Sequence, residues 1–574
     1  MPNLLLYPTP RRCDRTGPGC SLPDGFGIAG APPGLVASIP GLGGREASDG
    51  PVRLAIDPSA VREAGDEAYR LTVSADGVRI AARSAAGLRW GLATLAQLRR
   101  TCGAPLPGLA IDDAPAFRER GFMLDISRDR VPTMDTLRQL VDAMASVKLN
   151  HLQLYTEHTF AYAGHEAVWR AADPITPDEM REIDAYAAAR GVALTANQNS
   201  FGHFERWLRH PRYAPLGETD GPIRFAPWGD AWLEPNTLCP LDPGSIALVD
   251  GLFAQLFPCC SGPYANVGGD EPCDLGYGRS KDACEKLGRA RVFSEYLGKV
   301  LRAAQKYGKR PQFWCDPHPN EDDSLPKDIV ALIWGYGREE DFAKRLAAHA
   351  AAGREVWVAP GTNNWNTYAG RSAERHGNLA RAAQQGAAHG AVGMLNTEWG
   401  DNGHRQQWPL ALLGMADGAQ AAWSGGGIFD PDAAGAQVLG SARLGRWLDR
   451  LGRSEEGVKR GYGSPTFTDG NCWWGADADR ETLPAWEAVA AAQAALEAEM
   501  PDEGPFAGEC LLAIRMARVA ADRAVGRRKG DAKVRKDVIG RCTALFAEYR
   551  RRWLQRSRYG GLEDSYVKLK AMIC

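Results

Sequence analysis

The sequence contains no run of about 18 consecutive apolar residues, so it offers no membrane-spanning helix. Its opening, MPNLLLYPTPRRC, has no basic segment ahead of a long apolar one, which argues against a secretory leader. Net charge is only −2 at pH 7, so no global field favours nucleic acid or an anionic lipid surface. The Arg- and Lys-dense stretch from Arg515 to Arg558 is balanced by acids and reads as a solvated helical face. The 13 cysteines are odd in number and share no repeated spacing. That excludes a disulfide scaffold and predicts free, mostly buried thiols. Metal and cofactor patterns are also wanting. His165-Glu166 lacks the second histidine of H-E-x-x-H, and Asp316-Pro317-His318 stands alone. No Walker A sequence occurs, and no G-x-G-x-x-G follows a first strand. These absences predict a cytoplasmic protein without metal or cofactor, with a small or neutral partner rather than nucleic acid or membrane.

Tryptophan is plentiful at 17 residues, which suits a site that stacks on flat apolar faces. Three regions follow from the patterning. Residues 1–115 read as an α+β domain, loop-dominated over 14–50, where Gly and Pro concentrate. Short β runs come next, with a hairpin turn at Asp76-Gly77 and a helix from Ala85 to Arg100. Residues 116–426 alternate apolar runs with amphipathic helices. The runs are GFMLDI, HLQLY, VALTAN, YANVGG, PQFWCD, IVALIW, EVWVAP and VGMLN. One helix announces its start with Thr176, Pro177 and Glu179, a capping box with proline at the first turn. Eight strand candidates interleaved with helices predict an α/β fold, a (β/α)8 TIM barrel. Residues 427–574 read as a helical C-terminal region that either completes the site rim or makes a homodimer contact.

Sites in such barrels lie at the C-terminal ends of the strands. That rule selects Asp125 and Arg128, then Tyr155 and Glu157, then Asn197, Asn199 and His203, then Asp270 and Glu271. It continues with Trp314 and Asp316, Trp334 and Tyr336, Asn363, Asn364 and Trp365, and finally Asn396, Glu398 and Trp399. The set holds carboxylates, amides and tryptophans but no Ser-His-Asp arrangement at a nucleophile elbow. Acids for proton transfer between aromatic walls describe a sugar site better than a phosphate site. Asp270-Glu271 follows an apolar strand and Gly268-Gly269, where the backbone can approach a ligand closely.

Val267-Gly-Gly-Asp-Glu271, Arg120-Gly-Phe-Met-Leu-Asp125, KLNHLQLY (148–155) and Asn396-Thr-Glu-Trp-Gly400 together resemble glycoside hydrolase family 20, the β-N-acetylhexosaminidases, in a divergent intracellular-type branch. The resemblance covers roughly residues 50 to 425. It implies substrate-assisted retention, in which the sugar's own 2-acetamido oxygen attacks the anomeric carbon and an oxazolinium-type intermediate forms. Glu271 would be the general acid and base, and Asp270 would orient the acetamide. Arg120 would grip sugar hydroxyls with Glu398 as its carboxylate partner. Trp314 and Trp334 would wall the acetamido pocket. His203 matches the histidine of a Pro-Gly-His motif, and Glu157 falls where Thr-Asp-Asp is usual. Tyr368 would donate to the acetamido oxygen, with Asn364 and Trp365 as rivals, and Trp399 would supply a stacking face.

The chain departs from the common pattern at Asn266, Asn197, Asn199, Glu157-His158 and Asn396. These positions are expected to set sugar preference while leaving the reaction intact. Two other readings remain at this level: an acetamido-assisted β-N-acetylgalactosaminidase of a related family, and a carbohydrate-binding protein without turnover.

Overall fold

The computed structural model describes residues 4–225, 231–316, 325–458, 463–464, 466–467 and 482–570. His318, and with it the Asp316-Pro317-His318 pattern, lies outside them.

The N-terminal region is a seven-stranded sheet covered on one face by the helix Ala85–Cys102. The expected hairpin forms between Tyr69–Ser74 and Gly77–Ala82, with Ser74 opposite Gly77. Gly77 takes φ 121, a value that a side chain would resist. The helix is capped by Ser84 Oγ, which accepts from the Ala86 and Gly87 N–H groups. Its Leu88, Leu92, Leu95 and Leu98 are buried against the sheet, each worth about 1.5–3 kcal/mol of transfer from water. Residues 14–50 are less irregular than expected. Arg12–Ser21 is a strand paired antiparallel with Pro105–Asp113, broken by register shifts around Gly17. No residue of that strand is fully buried, so it carries no apolar alternation to betray it. Bulges on such an edge strand tolerate glycine and proline.

Eight parallel strands close into a barrel in chain order. They are the first, Glu119–Asp125; second, His151–Tyr155; third, Ala193–Asn197; and fourth, Tyr264–Asn266. Then come the fifth, Arg310–Cys315; sixth, Val330–Trp334; seventh, Glu355–Ala359; and eighth, Gly393–Glu398. The helices Met134–Ser146, Pro177–Ala189, Pro243–Leu256, Arg289–Gln305, Ala343–Ala351, Ser372–Ala388 and Trp408–Ser424 lie between and after them. The capping box at Thr176 is present in full, and Gly191 follows its helix at φ 76. Between the fifth and sixth strands the described residues contain no helix.

Alternation along each strand sorts side chains into two sets. Met123, Tyr155, Trp314, Leu332, Trp357 and Leu395 fill the barrel, while Phe122, Leu154, Phe313, Ile333, Val358 and Met394 pack outward under the helices. Midway down the interior lies a layer of uncharged polar groups. Asn197 and Asn266 both donate to Gln153 Oε1, at 2.9 and 3.0 Å. Gln153 Nε2 donates to Gln312 Oε1 at 2.7 Å and lies 2.9 Å from His151 Nε2. Burial drives the His151 pKa down to about 3, so its ring is neutral.

The N-terminal sheet is tied to the lower end of the barrel by buried charge. Lys148 Nζ donates to Asp113 and to the Tyr69 hydroxyl, both at 2.9 Å, and Trp423 Nε1 donates to Asp113 at 2.9 Å. After the barrel the chain is helical. Helices Pro431–Val438, Ala442–Leu451, Leu483–Ala498, Ala507–Lys529, Ala532–Arg556 and Leu562–Lys570 continue the main core.

Candidate active site

The chain turns sharply as it leaves the fourth strand. Gly268 and Gly269 take φ 68 and 95, and Glu271 itself takes φ 45. A Cβ on Gly268 would stand 2.0 Å from Asn199 Oδ1, so only glycine lets the turn close here. The turn sends Asp270 and Glu271 to different surroundings. Asp270 is 8% exposed. Its Oδ2 meets His203 Nε2 at 3.2 Å, while its Oδ1 is buried and has no partner. An unpaired buried carboxylate oxygen is costly, so this atom is poised for a donor such as an amide N–H. The Glu271 side chain is 46% exposed and opens to the cleft. Its backbone is fixed on both sides: its N–H donates to Asp316 Oδ2 at 3.0 Å, and its carbonyl accepts from Asn236 Nδ2 at 3.1 Å.

Charge balance in the cleft separates these acids. Desolvation raises the Glu271 pKa above the usual carboxylate range; His203 opposes the rise and the Asp270 charge adds to it. Asp316 is pushed up to about 7 by burial and then by Asp270. Burial would depress His203, but the Asp270 charge and hydrogen bond overcome it and lift the ring to about 9. His203 is therefore a cation at neutral pH, set between Asp270 and Glu157, whose Oε1 lies 3.7 Å from its Nδ1. Glu157 also accepts from the Tyr155 hydroxyl at 2.9 Å.

Arg128 is the second cation. Its guanidinium reaches Asp125 at 3.2 Å and Glu157 at 3.1 Å and lies over the rings of Tyr155 and Trp399. Trp399 belongs to an aromatic wall. Trp314 and Trp399 lie 5.8 Å apart with their rings tilted at 56°, Trp334 stacks on Tyr336 at 5.5 Å, and Tyr336 meets Trp365 edge-on at 5.0 Å. Trp399 Nε1 donates to the Tyr336 hydroxyl at 2.7 Å. Asp401 stands at the rim, where it accepts from Asn366 Nδ2 at 3.3 Å, and its charge is felt by both Arg128 and Glu271.

The structure thus brings together Asp270, Glu271, Glu157, His203, Trp314, Trp334, Trp365 and Trp399 of the expected set. It sends three others elsewhere. Arg120 is the second residue of the first strand, at its lower end and fully buried, and pairs with Glu67, in the turn before the strand Tyr69–Ser74, at 2.6 and 2.8 Å. Five residues below Asp125, it is roughly 16 Å from the strand's upper end. A hydroxyl-gripping role does not fit that position. Glu398 points outward from the barrel and is held by Asn364 and Gln406, each at 3.0 Å. Tyr368 also faces outward, packed against Phe467. Four residues of the cleft had been given no role by the resemblance: Arg128, Asp316, Tyr336 and Asp401. The first three sit at strand ends that the barrel rule had already selected. Asp401 lies beyond the strand's end at Glu398 and takes φ 45, so strand alternation does not reach it and gave no signal for it.

Residues 117–365 match the profile of the glycosyl hydrolase family 20 catalytic domain, and residues 36–114 match domain 2 of the same family. Together the matches take in more than half of the chain. The chain belongs to glycoside hydrolase family 20. Among its relatives, a beta-hexosaminidase of Vibrio furnissii is 27% identical over 292 residues, 45% of this chain and 46% of that protein. Another of that name, from Akkermansia muciniphila, is 28% identical over 285 residues, 43% of this chain and 55% of its own. The chain spans about half the length of these relatives. The solved structure of Flavobacterium johnsoniae chitobiase aligns with 100% of this chain and 99% of its own at TM-score 0.61 and 18% identity. That likeness is one of fold, and it runs through the C-terminal helices. No helix among the described residues is long and apolar enough to cross a membrane.

Proposed function

We propose that this family 20 chain is a retaining exo-glycosidase that removes terminal, non-reducing β-linked N-acetylhexosamine with the substrate's acetamide as nucleophile. One observation carries the reading. Asp270 is buried with one oxygen held by His203 and the other unpartnered, beside a Glu271 that faces the cleft. The free oxygen suits an acetamido N–H. Held there, the acetamide carbonyl oxygen attacks the anomeric carbon as the glycosidic bond breaks, and Glu271 gives its proton to the leaving oxygen. Water then opens the oxazolinium ring while Glu271 takes the proton back, which restores both carboxyls. The Asp270 carboxylate balances the positive charge that develops on the acetamide. Arg128 and Asp401 supply the polar grip on sugar hydroxyls, and the tryptophans exclude water from the acetamido pocket.

The test is hydrolysis of paired aryl N-acetyl-β-glucosaminide and N-acetyl-β-galactosaminide, with a thiazoline inhibitor that mimics the intermediate. Glu271→Gln is expected to lower kcat by about 10²–10⁴-fold on a poor leaving group, the usual reach of general acid catalysis. Turnover undiminished in Glu271→Gln would overturn the assignment, as would indifference to the thiazoline. A strong preference for the galacto substrate would identify an N-acetylgalactosaminidase. The eleven cysteines among the described residues are all free thiols, which supports the further reading that the enzyme works in the cytoplasm.

A further inference from the structure

Asp129 follows Arg128 in the chain and adopts φ 71, a left-handed conformation that its neighbours must hold in place. Its carboxylate is 2% exposed. Oδ2 accepts from Lys568 Nζ at 2.8 Å and from Ser565 Oγ at 3.2 Å, both on the last helix, Leu562–Lys570. Oδ1 accepts from Arg206 Nη2 at 3.1 Å. Arg206 lies three residues beyond His203, and the same Nη2 meets Asp564 of the last helix at 3.2 Å. One buried carboxylate therefore ties the segment of Arg128, the segment of His203 and the C-terminal helix together.

The backbones are fitted to this contact. A Cβ on Gly561 would stand 1.7 Å from the Asp129 carbonyl oxygen. One on Gly403, two residues past Asp401, would stand 2.9 Å from both Asp129 Oδ2 and Ser565 Oγ. The grip continues along the loop. Arg130 Nε donates to Ser557 Oγ at 2.8 Å, the Val131 carbonyl accepts from the Arg558 N–H at 2.8 Å, and the Thr133 N–H donates to the Arg556 carbonyl at 2.9 Å.

We propose that residues 556–568 are a brace that sets both cations of the cleft, with Lys568 a positioning residue acting through Asp129. The proposal rests on the glycosidase reading of the cleft. A catalytic group displaced by about 1 Å can lose about 10²-fold in rate, so a support outside the barrel can govern chemistry inside it.

The experiment is Lys568→Ala in the full chain, with Lys568→Arg as the conservative variant. Two readouts are needed: steady-state kinetics on the aryl substrate and hydrogen–deuterium exchange. For Lys568→Ala the expected results are a fall in kcat/KM of about tenfold or more and faster exchange in segments 126–133 and 203–209, with the barrel strands unchanged. Lys568→Arg is expected to recover most of both. Unchanged kcat/KM in Lys568→Ala overturns the proposal, even if exchange quickens. So does a loss that spreads exchange over the whole barrel and is not rescued by Arg, because that is plain unfolding. If the wild-type chain cleaves neither aryl substrate, the glycosidase reading falls instead, and the exchange at 126–133 and 203–209 alone decides whether the brace exists.

Discussion

Replacing Arg128 with Lys keeps the charge but removes the planar fork that reaches Asp125 and Glu157 together. The expected result is a fall in kcat/KM of about 10²-fold on the aryl N-acetylhexosaminide, read by steady-state kinetics. A loss of less than about threefold would remove Arg128 from the cleft's working parts. His203 acts on Glu271 through charge. As the proposed general acid, Glu271 must hold its proton, so on that proposal kcat/KM falls as pH rises through its raised pKa. The His203 cation holds that pKa down, so His203→Gln should move the alkaline limb of the pH profile to higher pH. A limb that stays in place or moves the other way contradicts the coupling. Residue identity was legible in the sequence where spacing left one choice, as at Asp270-Glu271. It was not legible where two candidates stood on one strand. Arg120 and Arg128 are both plausible cations, and only the position of Asp125 at the strand's upper end separates them. Asn396-Thr-Glu398 and Trp399-Gly-Asp401 are equally plausible triplets, and Asp401 lies in the turn beyond the strand's end at Glu398, where alternation no longer sorts inside from outside.

Helix joints carry a titration of their own. His376, on the helix Ser372–Ala388, lies between Asp417 of the helix Trp408–Ser424 and Asp449 of the helix Ala442–Leu451, with Asp449 at 2.7 Å. Arg375 bridges the same two acids at 2.9 and 3.2 Å. Burial acts to lower the His376 pKa, but the Asp417 charge prevails and raises it. A raised folded-state pKa means the stabilisation is whole below the unfolded value, about 6.5, and is lost as pH rises through the folded one. The stability difference between wild type and His376→Gln should therefore shrink as pH rises from 6.5 upward, by denaturation at a series of pH values. A difference that is flat, or that grows with pH, would show that His376 is not the charged link of this joint. The elements themselves were largely legible. Buried parallel strands read as continuous apolar runs, and the helices between them carry 3.6-residue stripes, three of them with side-chain caps at Thr133, Thr176 and Asp242. The strand Arg12–Ser21 was hidden because its pairing, not its side chains, makes it a strand.

At the scale of the molecule, the sheet, the barrel and the terminal helices are joined through buried charge rather than flexible linkers. Glu67→Gln leaves the fully buried Arg120 without its counter-ion, and breaking such a pair costs about 3–5 kcal/mol. The expected outcome is that loss in chemical denaturation with kcat/KM within about twofold of wild type, since Arg120 lies at the far mouth of the barrel. A large fall in kcat/KM without loss of stability would return Arg120 to the cleft. The division into sheet, barrel and helices could be read from the change in periodicity along the chain. Their mutual bracing could not, because Glu67 and Arg120, or Asp129 and Lys568, carry no local mark of the partner they will meet.

The amide layer across the middle of the barrel has a consequence for the chemistry above it. Gln153, Asn197, Asn266 and Gln312 do not ionise, and His151 stays neutral until about pH 3. The layer behaves as an insulator. Protons gained or lost by Glu271, Asp316 or His203 find no charged relay beneath them, and the main charges that shift these groups all lie in the cleft. The cleft and the base are two separate circuits in one barrel, so substitutions that retune one should leave the protonation of the other where it was.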